Sequence, residues 1–108
     1  MGYNVKMEFI ESNLFTKNIR LYLTDNEYAK FQWNLAFNPT EGDVIPGTGG
    51  LRKIRWVTKG RGKRGGIRII YYYKNLKDQI WLLTVYTKSE VENISVSDLL
   101  KIKEELKL

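Results

Sequence analysis

Residues 3–10 (YNVKMEFI) alternate, with Tyr3, Val5, Met7 and Phe9 on one side, and that period of two predicts a half-buried strand. Past Ser12 the spacing changes. Leu14, Phe15, Ile19 and Tyr22 recur at helical intervals, and Thr24 followed by Glu27 forms a capping-box signal that opens a second helix. That helix carries Tyr28, Phe31, Leu35 and Ala36 on one stripe and ends near Asn38, because Pro39 disfavours helical geometry in the residue before it. Three runs rich in β-branched and aromatic residues follow: 51–57 (LRKIRWV), 67–74 (IRIIYYYK) and 79–86 (QIWLLTVY). The short connections between them favour antiparallel hairpins. From Ser97 onward Leu99, Ile102 and Leu106 return to helical spacing, with Ser97 or Ser95 as the cap. The predicted order is β-α-α-β-β-β-α: an α+β fold with a mainly antiparallel sheet flanked by helices, one domain over residues 1–108.

The strands do not sort cleanly into apolar and polar faces. Alternation puts Leu51, Lys53, Arg55 and Val57 on one side of their strand and Arg52, Ile54 and Trp56 on the other. On the next strand Arg68, Ile70 and Tyr72 share a face, while Ile67, Ile69, Tyr71 and Tyr73 form the expected core face. Trp33 and Trp81 are assigned to packing.

Charge sharpens this picture. The formal charge is +6, yet the 34 residues between Asp43 and Asp78 hold ten cations and no acid, so the remainder of the chain is net acidic. Seven of the nine glycines fall between Gly47 and Gly66, which marks loops flanking a strand. Chemistry is narrowed by what is missing: without cysteine or histidine there are no thiolates, no disulfides, no common zinc or haem ligand set and no imidazole acid or base. No metal and no cofactor are expected. The opening MGYNVKMEFIE has neither the apolar run of a signal peptide nor a membrane span, so a cytoplasmic protein without membrane contact is expected.

Gly60, Gly62 and Gly65 match the spacing of a dinucleotide fingerprint, but a strand rather than a helix follows them, and the phosphate needs the helix N-terminus. Strand-borne cations beside tyrosines suit a different anion. A polyanion whose phosphates are gripped and whose bases can stack on aromatic rings is the match, and single-stranded RNA is the natural candidate.

Read together, GDVIPGTGGLRKIR (42–55), the basic loop KGRGKRGG (59–66), IRIIYYY (67–73) and LLTVYTKSE (82–90) resemble the RelE-like toxins of bacterial toxin–antitoxin modules, most nearly their HigB branch. The resemblance spans nearly the whole chain and implies the RelE-like α+β fold. It also implies ribosome-dependent endonuclease cleavage of messenger RNA in the A site, which inhibits translation. A cognate, HigA-like antitoxin with a helix-turn-helix would restrain the toxin and alone contact operator DNA. Arg68 matches the arginine at the scissile phosphate, Lys53 and Arg55 lie on the phosphate-gripping strand, and Lys88 occupies the basic position after the last strand. Arg52, Lys59, Arg61, Lys63, Arg64 and Tyr72 are the further RNA-contacting expectations. Some members carry a tyrosine a few residues beyond the last basic position, but here Ile94 stands in that region and no tyrosine follows Tyr86.

Cleavage can proceed without histidine when the RNA's own 2′-hydroxyl is aligned with the adjacent phosphorus and cations stabilise the transition state. Crowding by other cations eases proton loss from a lysine, which favours Lys53 or Lys88 as general base, with Tyr72 and Tyr86 as second choices. Two rivals remain open: a ParE-like toxin acting on DNA gyrase, and an RNA-binding module without catalysis.

Overall fold

In a computed structural model of the chain, residues 6–57, 66–91 and 93–108 are described. Element order is β1 (Glu8–Glu11), α1 (Asn13–Ile19), α2 (Asp25–Phe37), β2 (Asp43–Val44), β3 (Arg52–Trp56), β4 (Ile67–Lys74), a single 3₁₀ turn (Asn75–Lys77), β5 (Gln79–Thr87) and α3 (Val96–Glu105). This is the α+β architecture expected from the sequence, with one short strand, β2, added ahead of β3.

Each helix starts where its cap dictates. Ser12 Oγ accepts the Phe15 N–H at 2.9 Å, and Thr24 and Glu27 complete the capping box at α2. For α3 the cap is Ser95, which accepts from the Asp98 N–H at 3.1 Å, so the alternative Ser97 lies inside the helix. α1 is shorter than its apolar spacing suggested: Tyr22 lies beyond its end. β1 begins at Glu8, Lys6 and Met7 precede it outside the strand, and residues 3–5 of the expected strand lie outside the described part. Among the described residues no helix is long and apolar enough to cross a membrane.

The five strands lie in the order β1-β5-β4-β3-β2, parallel between β1 and β5 and antiparallel elsewhere. Helices cover both faces. On one, Phe15 and Ile19 of α1 and Phe31 and Leu35 of α2 pack on Ile54, Ile67, Ile69, Tyr71, Ile80 and Leu82. On the other, Leu99 and Ile102 of α3 pack on Leu51, Ile70, Leu83 and Trp81. Trp81 is therefore a packing residue as expected. Trp33 is not: it is 60% exposed and stacks on Phe37 with ring centres 5.6 Å apart. Its position on α2 turns it outward, past the stripe that Phe31 and Leu35 bury.

One irregularity decides what β5 presents. Ile70 pairs with Thr84 but Tyr71 pairs with Leu82, so Leu83 is an extra residue, a β-bulge. Ile80 and Leu82 face α1 and α2 before it, and Val85 does so after it. The bulge thus switches the strand's parity and sends Tyr86 to the α3 face. Ser12 secures it, since its hydroxyl donates to Leu83 O at 2.6 Å and its N–H donates to Leu82 O at 2.9 Å.

Candidate functional site

The α3 face of the sheet holds a transverse row of polar side chains. Arg55 on β3 stands opposite Arg68 on β4, and Arg68 stands opposite Tyr86 on β5. Lys53 lies on the same face two residues before Arg55, in the next row with Ile70 and Thr84. Directly opposed residues have Cβ atoms about 5 Å apart, and like charges so placed are unfavourable by themselves. An anion lying between the two guanidinium groups turns that repulsion into shared attraction. Lys53 and Arg55 are exposed and Arg68 is half-buried, because α3 packs on the apolar stretch around Leu51, Ile70 and Leu83.

Tyr86 is buried, at 6% exposure, beside Arg68. Burial raises its pKa, partly offset by the Arg68 charge and a hydrogen bond with the Ile94 backbone. The phenol is thus protonated at neutral pH. Ile94 packs against the α3-side cluster that contains Tyr86, and its backbone makes the hydrogen bond to that tyrosine.

The other expected residues divide. Lys88 is exposed in the turn just past the end of β5, two residues beyond Tyr86. Arg52 lies on the opposite face, where Nη1 donates to Gly42 O at 2.7 Å and Thr40 O at 3.2 Å. It clamps the loop before β2 and stands apart from the row, because neighbouring strand residues point to opposite faces. Tyr72 shares the α3 face but sits within the apolar cluster, with Lys103 Nζ 5.7 Å from its ring centre. Lys103 also donates to Thr48 O at 2.9 Å and so ties α3 to the turn that enters β3. Lys59, Arg61, Lys63 and Arg64 lie outside the described residues.

Two features of the site were missed in the sequence. Asp43 on β2 is the cross-strand neighbour of Lys53, an acid at the border of the basic segment. Glu90 holds the turn containing Lys88 by accepting from the Thr87 N–H at 2.9 Å. A capping acid three residues after Thr87 was the available signal, and the charge pattern around it drew attention to the cations instead.

No family model matches the chain. Among solved structures, the E. coli toxin RelE, in the free state as a variant with two arginines replaced by alanine, superposes with a TM-score of 0.61 at 16% identity. That match covers 88% of this chain and 94% of RelE. The fold is RelE-like. A conserved hypothetical protein of Helicobacter pylori, HP0892, matches with a TM-score of 0.55 at 15% identity, over 79% of this chain and 98% of its own. At these identities the likeness to RelE is one of fold, and function is argued from the side chains.

Proposed function

We propose that the protein is the toxin of a toxin–antitoxin pair, HigB-like within the RelE-like fold, and that it cleaves messenger RNA on the ribosome. The observation that carries this reading is the row of Arg55, Arg68 and Tyr86, with Lys53 alongside, on the face that α3 leaves partly open. The RelE-like fold supports it.

Arg68 sits at the centre of the row and forks onto the non-bridging oxygens of the scissile phosphate. Arg55 and Lys53 hold the neighbouring phosphate, which aligns the 2′-oxygen with the phosphorus. The 2′-oxygen then attacks, the bond from phosphorus to the 5′-oxygen breaks, and the products are a 2′,3′-cyclic phosphate and a 5′-hydroxyl. Of Lys53 and Lys88, one in its neutral form takes the 2′-hydroxyl proton and the other, as an ammonium, gives a proton to the 5′-oxygen as it leaves. Tyr86, protonated and beside Arg68, donates a hydrogen bond to the oxygen on which charge develops. The cognate antitoxin, HigA-like, covers or neutralises this basic surface, and the site of action is the cytoplasm.

A purified translation reaction with mapping of messenger ends tests the proposal. Ends should appear only when ribosomes and the protein are both present, and should carry 5′-hydroxyls. Intact messenger together with inhibited DNA supercoiling would instead support the gyrase reading, and RNA binding without any cut would support a module lacking catalysis.

A further inference from the structure

A single carboxylate ties the turn after β5 to the opposite side of the sheet. Glu90 Oε1 accepts the Thr87 N–H at 2.9 Å, the Thr87 hydroxyl at 2.7 Å and the Tyr22 hydroxyl at 2.7 Å. Tyr22 also reaches Oε2 at 2.9 Å. The Glu90 and Val91 N–H groups both return to Thr87 O at 3.1 Å, and Thr87 Oγ1 lies 3.0 Å from Ser89 Oγ. Tyr22 is itself buried in the core between the sheet and α1 and α2. The turn is therefore anchored to rigid structure beneath the sheet, beyond its own backbone bonds.

Lys88 lies within this turn, with its side chain exposed. A lysine has a flexible four-carbon stem, so where its ammonium can reach depends first on where its backbone is held. A proton acceptor misplaced by about 1 Å can lose about two orders of magnitude in rate. We infer that Glu90 is a positioning residue that, through Thr87 and Tyr22, fixes the place of Lys88 two residues past Tyr86, the β5 member of the Arg55–Arg68–Tyr86 row. This rests on the reading of the row as an RNA-cleaving site. The Thr87 N–H, the Thr87 hydroxyl and the Tyr22 hydroxyl each reach Oε1, so a neutral amide oxygen at that point can hold the same three donors and an alanine cannot.

The test is single-turnover messenger cleavage on saturating, pre-bound ribosomes, with Glu90→Ala, Glu90→Gln, Tyr22→Phe and Lys88→Ala made singly, and Glu90→Ala combined with Lys88→Ala. Glu90→Ala should slow cleavage about 10- to 100-fold with ribosome affinity unchanged. Glu90→Gln should stay within about threefold of wild type, and Tyr22→Phe should fall between them because the Thr87 contacts remain. In the Lys88→Ala background Glu90→Ala should add nothing further, which a general loss of structure would not produce. Fully additive losses, or a Glu90→Gln variant as slow as Glu90→Ala, overturn the inference. A wild-type protein that makes no cut overturns the nuclease reading itself, which sets that failure apart from additivity in a protein that does cut.

Discussion

Arg52 and Lys53 are adjacent cations with opposite tasks, because a strand turns successive side chains to opposite faces. Lys53 stays exposed beside the arginine row, whereas Arg52 holds the carbonyls of Thr40 and Gly42. The same loop is gripped from the core by Tyr71, whose hydroxyl accepts the Gly42 N–H at 2.9 Å and donates to Pro39 O at 2.9 Å. Gly42 permits this approach, since a Cβ there would stand 2.8 Å from the Tyr71 ring. Tyr71→Phe strands two backbone groups at a buried point and should cost about 1–3 kcal/mol. A urea titration should show a lower midpoint with an unchanged slope. An unaltered midpoint would mean that the loop is held by other contacts.

At the scale of elements, the helices, the three long strands and the segregation of Arg52 from Lys53, Arg55 and Arg68 were legible because each follows a local period or a local cap. What was not legible is non-local. The QIWLLTVY run is apolar on both parities, so its sequence does not mark Leu83 as the residue where alternation switches. Tyr86 reaches the row only through that switch. Ser12 marks where the spacing turns helical, but its bond to Leu83 O spans 71 residues and no local pattern announces it. The two-residue β2 is below the length at which alternation carries information, and Trp33 belongs to a helix whose outer face offers aromatics as well as polar groups. Ser12→Ala removes the α1 cap and the bulge contact together, and should cost about 1–2 kcal/mol in thermal or urea unfolding. Gly66→Ala should cost more than that, because Gly66 has φ 71° and a Cβ would collide with Trp56 O at the entry to β4. A Gly66→Ala protein of wild-type stability would contradict the β3–β4 geometry described here.

Over the whole molecule, ionisation and charge bring these contacts to measurable scale. Burial, then the Glu90 carboxylate, pushes the Tyr22 pKa up from 10.0 to about 12, and Tyr28, Tyr71 and Tyr86 are raised as well. A folded-state pKa above the unfolded value favours the protonated folded protein, so this stability is complete below pH 10 and is lost as pH rises from 10 toward 12. Urea midpoints should fall across that window, and Tyr22→Phe should flatten the fall; a midpoint independent of pH there would contradict the Tyr22–Glu90 contact. The proposed function assigns the long-range attraction to RNA to the ten cations between Asp43 and Asp78, so replacing Arg61, Lys63 and Arg64 together should weaken ribosome association and shallow its salt dependence. The same proposal assigns the chemical step to the row. Its most direct measurement is the single-turnover rate of messenger cleavage on pre-bound ribosomes for wild type and Arg68→Ala: association should stay nearly intact while the rate falls about 100- to 1000-fold. Equal rates for the two proteins would contradict the central claim that Arg68 meets the scissile phosphate.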